Sequence, residues 1–172
     1  MHRRTILGLS AIVAATLTIG ANGVTAQQKP IKEQLIGTWI MVSAVATTKE
    51  GTKSSDRWSA NPKGQIIFGA DGRYSFMISR PDIPKFAANN PNQGSAEENS
   101  AAVRGTIANF GTWSVDEPTK TITTNVEAST FPNLNGNSQK RVIGSLTADE
   151  LKYTNPASVT GTVDEAVWRR AK

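Results

Sequence analysis

Residues 64–79 read Gly64-Gln65-Ile66-Ile67-Phe68-Gly69-Ala70-Asp71-Gly72-Arg73-Tyr74-Ser75-Phe76-Met77-Ile78-Ser79. Two apolar runs flank Ala70-Asp71-Gly72, and Asp-Gly is the pair that turns an antiparallel hairpin through positive φ. The stretch therefore predicts strands over Gly64 to Gly69 and Arg73 to Ser79. In the second, Tyr74, Phe76 and Ile78 alternate with Arg73, Ser75 and Ser79, which is the period-two pattern of a strand with one face in a core.

Outward from this hairpin the same grammar repeats. Upstream, Ile31 to Ile36 reads as a short helical turn after a linker that begins at Gln27. Thr38 to Thr48 reads as a long first strand, and Thr47 to Asn61 as a polar connection. Downstream, Arg80 to Gly94 breaks the strand rhythm with three prolines, three asparagines and a glycine, so it is a loop. Ser95 followed by Glu98 matches a capping box ahead of the helix formers of Ala96 to Arg104, expected to lie across the mouth of a barrel. Strands then resume at Asn109 to Val115, Lys120 to Thr130, Gln139 to Leu146, Glu150 to Thr154 and Val163 to Arg170, with short turns between them. About eight antiparallel strands and one short helix make an all-β chain. An eight-stranded up-and-down barrel over residues 37–171 is the economical arrangement because closure removes exposed edges; a two-sheet sandwich is the alternative.

The chain has 172 residues, no cysteine, one histidine and a formal net charge of +5. Arg3 and Arg4, the uncharged stretch Ile6 to Ala21 and the small residues Val24-Thr25-Ala26 form the three parts of a secretory signal, with cleavage expected after Ala26. A membrane anchor is the alternative reading, but the apolar stretch is short and diluted by Gly, Ser and Thr. Arg3-Arg4-Thr5-Ile6-Leu7 also suits the twin-arginine route, which leaves the route open. Processing would place the mature protein in the periplasm or outside the cell, with no stable membrane anchor. It would also remove His2 and two positive charges. Without histidine or cysteine, a Ser–His–Asp triad, a Cys–His nucleophile, a disulfide framework and imidazole or thiolate metal sites are excluded. Neither a cofactor nor a metal is expected, and the cations form no run that would suit nucleic acid.

Several segments resemble a known family. Gly37-Thr38-Trp39 opens the first strand in the manner of the lipocalin Gly-x-Trp signature. More specific are Ala108 to Asp116 (ANFGTWSVD), Val126 to Asn133 (VEASTFPN), Gly136, Gln139-Lys140-Arg141, Leu151-Lys152-Tyr153, Gly161 and Trp168-Arg169-Arg170. In order and spacing these are similar to the bacterial lipocalin-like domain family over nearly all of residues 33–170. The resemblance implies an eight-stranded calyx and little about activity. Relatives often carry histidines just before the Val-Glu of the strand containing Val126-Glu127; this chain has Thr124-Asn125 there, so any role of those histidines does not carry over.

Candidate sites follow from strand parity. Trp39 and Arg170 are placed to meet at the closed end, with Arg169 as the competing partner; a guanidinium over an indole is worth about 0.5–2 kcal/mol, and lipocalins use a comparable pair. Glu127 and Arg141 would lie opposite one another if their hairpin closed near Leu134. Inside the barrel they would be polar contacts in a pocket lined by Tyr74, Phe76 and Trp113; outside they would be an ordinary cross-strand ion pair. Glu97-Glu98 fits the first turn of a helix better than catalysis. Three functions remain open. The first is binding of a small hydrophobic or amphipathic molecule in the lumen. The second is acid–base chemistry on such a molecule by Glu127 with Tyr74 or Tyr153. The third is a periplasmic interaction or inhibitor module that acts through its loops.

Overall fold

A computed structural model describes residues 29–172. The expected leader over residues 1–26, with His2, Arg3 and Arg4, lies outside the described residues. Helix α1 (Ile31–Leu35) is followed by β1 (Gly37–Thr47), β2 (Lys53–Ser54), β3 (Lys63–Phe68), β4 (Arg73–Ser79), α2 (Ala96–Gly105), β5 (Thr106–Asp116), β6 (Thr121–Ser129), β7 (Ser138–Leu146), β8 (Glu150–Asn155) and β9 (Val163–Arg170). All neighbouring strands are antiparallel, in the order β2-β1-β3-β4-β5-β6-β7-β8-β9, and β1 pairs again with β9. That second pairing closes eight strands into a barrel, with the two-residue β2 added beside the end of β1. The sandwich alternative is excluded by this closure.

Local chemistry sets most of the boundaries. Gly72 takes φ of 81°, and the amide of Gly69 donates to the carbonyl of Arg73 at 2.7 Å, so the first hairpin turns where Asp71-Gly72 places it. Ser95 Oγ accepts from the amide of Glu98, and the Glu98 carboxylate accepts from the amides of Ser95 and Ala87, at 2.8 Å each. One side chain thus completes the capping box and ties the preceding loop to α2. The helix lies beside the mouth on that loop and contributes no residue to the cavity wall, so it does not cross the opening as expected.

The interior is one cluster whose most buried members are Leu35, Trp39, Phe68, Ile122, Leu151 and Trp168. Three bulges interrupt the ladders: Val42 in β1, Glu127 in β6 and Gly144 in β7 are each skipped by the pairing on one side. A bulge shifts the in–out alternation by one residue. Met41 and Ala44 are therefore both buried, and Leu146 packs against the core where simple parity points Ser145 inward.

The closed end is built on one arginine. Trp39 and Arg170 are cross-strand partners, and the guanidinium carbon stands 4.0 Å from the indole centre. Arg170 also donates to the carbonyls of Gln34, Ile36 and Ala148, while the Trp39 indole N–H donates to the carbonyl of Leu35 at 2.8 Å. It therefore joins α1, β9 and the β7–β8 turn. Arg169 points to solvent opposite Ile40. Arg170→Ala is expected to lower unfolding free energy by about 2–4 kcal/mol, from the cation–π contact and three charge-assisted bonds, and Arg169→Ala to leave it nearly unchanged. Urea melts of both variants check this, and equal midpoints would refute the assignment.

Candidate functional site

The lumen contains a cavity of about 90 Å³ that reaches the open end of the barrel. Its walls are mostly apolar: Met41, Ile66, Phe68, Phe76, Ile78 and Ile122 supply the lower part. Ala44 of β1 and Ala166 of β9 are cross-strand partners that both face it, and two such small side chains leave space that larger ones would fill. Polar groups enter from Tyr74, Asn109, Thr124, Gln139, Arg141 and Tyr153.

Most of these polar groups are matched within the protein. The Tyr74 hydroxyl donates to Asn109 Oδ1 at 2.8 Å, and the buried Thr124 hydroxyl points to the carbonyl of Gln139. Burial pushes the pKa of Tyr74 up; Thr124 and the positive charge of Arg141 pull it back. Burial likewise raises that of Tyr153, opposed here first by the charge of Arg141 and then by hydrogen bonds from Arg141 and Trp168. Both phenols are therefore neutral at pH 7, and the upward shift makes each a weaker acid and leaves less phenolate to act as a base.

Of the five pocket residues read from the sequence, the structure brings Tyr74, Phe76 and Arg141 together around the cavity and leaves two out. Trp113 is buried below it, 4.8 Å from Phe68 between ring centres, with its indole N–H donating to the carbonyl of Gly69 at 3.0 Å. It belongs to the packing beneath the β3–β4 turn and is absent from the cavity wall. Glu127 is on the outer surface. Its carboxylate takes two bonds from Arg73, at 2.5 and 2.7 Å, and this guanidinium holds its pKa below the usual carboxylate range. A low pKa and an outward position remove Glu127 as an acid or base in the lumen.

Register explains the error. The pairing of β6 with β7 sets Ile122 opposite Arg141 and Thr124 opposite Gln139, so Arg141 shares the inner face. The ladder ends at Asn125 and Ser138; the segment beyond folds into a short 3₁₀ turn at Pro132–Leu134, which drives Leu134 into the barrel. A hairpin closed near Leu134 has the wrong register, and an odd slip moves every side chain to the other face.

Trp58 was not anticipated. It lies in the connection read as polar, yet it is buried and lines the cavity near its mouth, with the Arg57 guanidinium 4.7 Å above its ring. Arg57 also donates to Thr160 across the opening at 3.2 Å, and burial lowers its pKa despite the opposing charge of Asp164. The available signal was a lone tryptophan in a polar segment, since so large an apolar side chain is rarely left in water.

A closed antiparallel barrel with a mostly apolar, partly polar lumen open at one end defines the class: a small calyx. The model of the lipocalin-like domain matches residues 36–171, and the chain belongs to that family. Among solved structures, the chain resembles a lipocalin-like protein from Bacteroides uniformis at 14% identity, covering 80% of this chain and 99% of that one, with a TM-score of 0.45. A designed fluorescence-activating β-barrel matches at 11% identity, 84% and 100% coverage, and a TM-score of 0.43. No curated protein matches the sequence.

Gly111 pairs with Val126 beside the bulge at Glu127. A Cβ on Gly111 would stand 1.9 Å from the carbonyl oxygen of Asn125. Gly111→Ala is expected to cost about 3 kcal/mol, the upper end of overpacking penalties. Gly144, whose nearest neighbour would be 3.8 Å away, is the control and should tolerate alanine. Denaturant midpoints decide between them.

Proposed function

We propose that this protein is a binding protein that holds a small, mostly apolar molecule in the lumen of its barrel. The observation that carries the reading is the cavity: apolar walls, a few polar groups on one side, and an opening past Trp58. Concave, largely apolar sites with a few placed polar groups are the usual form of small-molecule pockets. Acid–base catalysis is the weaker reading because the interior phenols are shifted away from neutrality and the expected carboxylate faces solvent.

Five of the wall residues are aromatic, and occupancy is readable in tryptophan emission from Trp58 and Trp168, which lie at and beside the cavity. 1-Octanol is expected to shift that emission saturably in the wild type. Ala166→Leu, which fills the wall opposite Ala44, should abolish the shift while leaving the far-ultraviolet circular dichroism of the barrel intact. Saturation equal to wild type in that variant would place the ligand elsewhere.

The proposed setting is the periplasm or the extracellular space, supported by the Arg3-Arg4 start, the uncharged stretch that follows and Val24-Thr25-Ala26. Intact-mass measurement of protein recovered from a bacterial periplasm is expected to show an N-terminus at Gln27. Recovery only from cytoplasm with residues 1–26 attached would refute export.

A further inference from the structure

Three adjacent strands each place one hydrogen-bond donor on a diagonal of the inner wall. Arg141 of β7 stands next to Tyr153 of β8, its guanidinium carbon 5.9 Å from the ring centre, and Tyr153 lies 6.0 Å from the Trp168 ring of β9. The pairings Ile143–Tyr153 and Leu151–Trp168 produce this diagonal. The Trp168 indole N–H is completely buried and, among the described residues, makes no well-formed hydrogen bond, facing only the Tyr153 hydroxyl. Arg141 uses one N–H, on the carbonyl of Lys140 at 2.8 Å, and no carboxylate lies within 4 Å of it among the described residues. The Tyr153 oxygen faces the donors of both Arg141 and Trp168, so one acceptor stands among three donor groups. Elsewhere in the wall the polar groups are matched in pairs, as Tyr74 with Asn109 and Thr124 with Gln139.

The diagonal is thus rich in donors and short of acceptors. A buried donor without a partner is costly, and nearly all such groups in folded proteins are satisfied. What Arg141 and Tyr153 present to the lumen is a requirement for acceptor oxygens and, at Arg141, for negative charge. A carboxylate supplies both, in the planar form that a guanidinium engages with two bonds. The acidic residues of the rim do not meet this need: the Asp164 carboxylate accepts from Thr162 at 2.5 Å and acts on Arg57, and Glu165 is solvent-exposed.

We propose that Arg141 and Tyr153 form the head-group end of the lumen, with the Trp168 indole packed behind Tyr153, and that the ligand is an amphipathic carboxylate whose apolar body lies along the Ile66, Phe76 and Ile122 wall. This deepens the binding reading above and rests on it. Octanoate and 1-octanol, equal in chain length and differing at the head, separate the two. By titration calorimetry at pH 7, the wild type is expected to bind octanoate at least about tenfold more tightly than 1-octanol, the value of one charge-assisted hydrogen bond. Arg141→Met should remove that preference, because octanoate loses its charged partner and 1-octanol at most a neutral hydrogen bond; Arg141→Lys should retain part of it. Equal wild-type affinities, or a preference that survives in Arg141→Met, would overturn the carboxylate proposal while leaving the lumen as the binding site. Binding of neither compound to the wild type would overturn both. Far-ultraviolet circular dichroism of Arg141→Met, matching wild type, shows that the variant is folded.

Discussion

Strand β1 is shared between two neighbours, and the rest of the structure depends on how that sharing ends. Its first four residues pair with β3 on one side, while Trp39 to Thr47 pair with β9 on the other. Without the β9 seam the sheet would keep two edges and no lumen. At the closed end the two seams run together, and there Arg170 and Trp39 seal the floor through α1. Beyond Ile40 the β1–β3 ladder stops, and the barrel wall opens. Trp58 and the short β2 occupy that gap, so the place where pairing fails is also the place where the cavity meets solvent.

The three bulges determine what the lumen contains. Each falls on a residue that the closed barrel turns outward: Val42, Glu127 and Gly144. Closing eight strands requires strong local twist, and bulges supply it where regular pleating does not. The cost is that inner and outer faces can no longer be assigned by counting in twos from one end of a strand. Ala128 leaves the inner face by this route, opposite Phe110, whereas Glu127 already points outward by alternation with the buried Ile122, Thr124 and Val126. Arg141, two residues short of Ile143 and ahead of the bulge at Gly144, keeps its inward place.

What was legible from the residues follows from the same physics. The strands, the Asp71-Gly72 turn and the capped helix rest on local signals: alternation, positive-φ residues and a Ser-x-x-Glu box. The inward set Tyr74, Phe76 and Ile78 was legible because β4 carries no bulge and its hairpin register is set by a tight turn. The β6–β7 pair was not. Its connection contains a 3₁₀ turn and a buried Leu134, and nothing local in Phe131 to Asn137 states where the ladder stops. Trp113 shows a different limit. Strand parity turned it inward correctly, but depth along the barrel axis separates a floor residue from a cavity residue, and depth depends on the stagger of all eight strands.

Glu127 and Arg141 show how much a single register decides. Paired inside, they would have neutralised one another and left a lumen suited to neutral molecules. The actual register divides them: Arg73 neutralises Glu127 at the surface, and Arg141 remains beside the cavity without an acidic partner. The cavity is itself a structural cost, on the order of 2 kcal/mol for about 90 Å³ at roughly 24 cal/mol per Å³. A single larger residue in place of Ala44 or Ala166 would offset it by filling the space between β1 and β9. A core selected only for stability would fill that space and pair its donors. That this one does neither, on the same side of the barrel, favours recognition over packing as the reason for the arrangement.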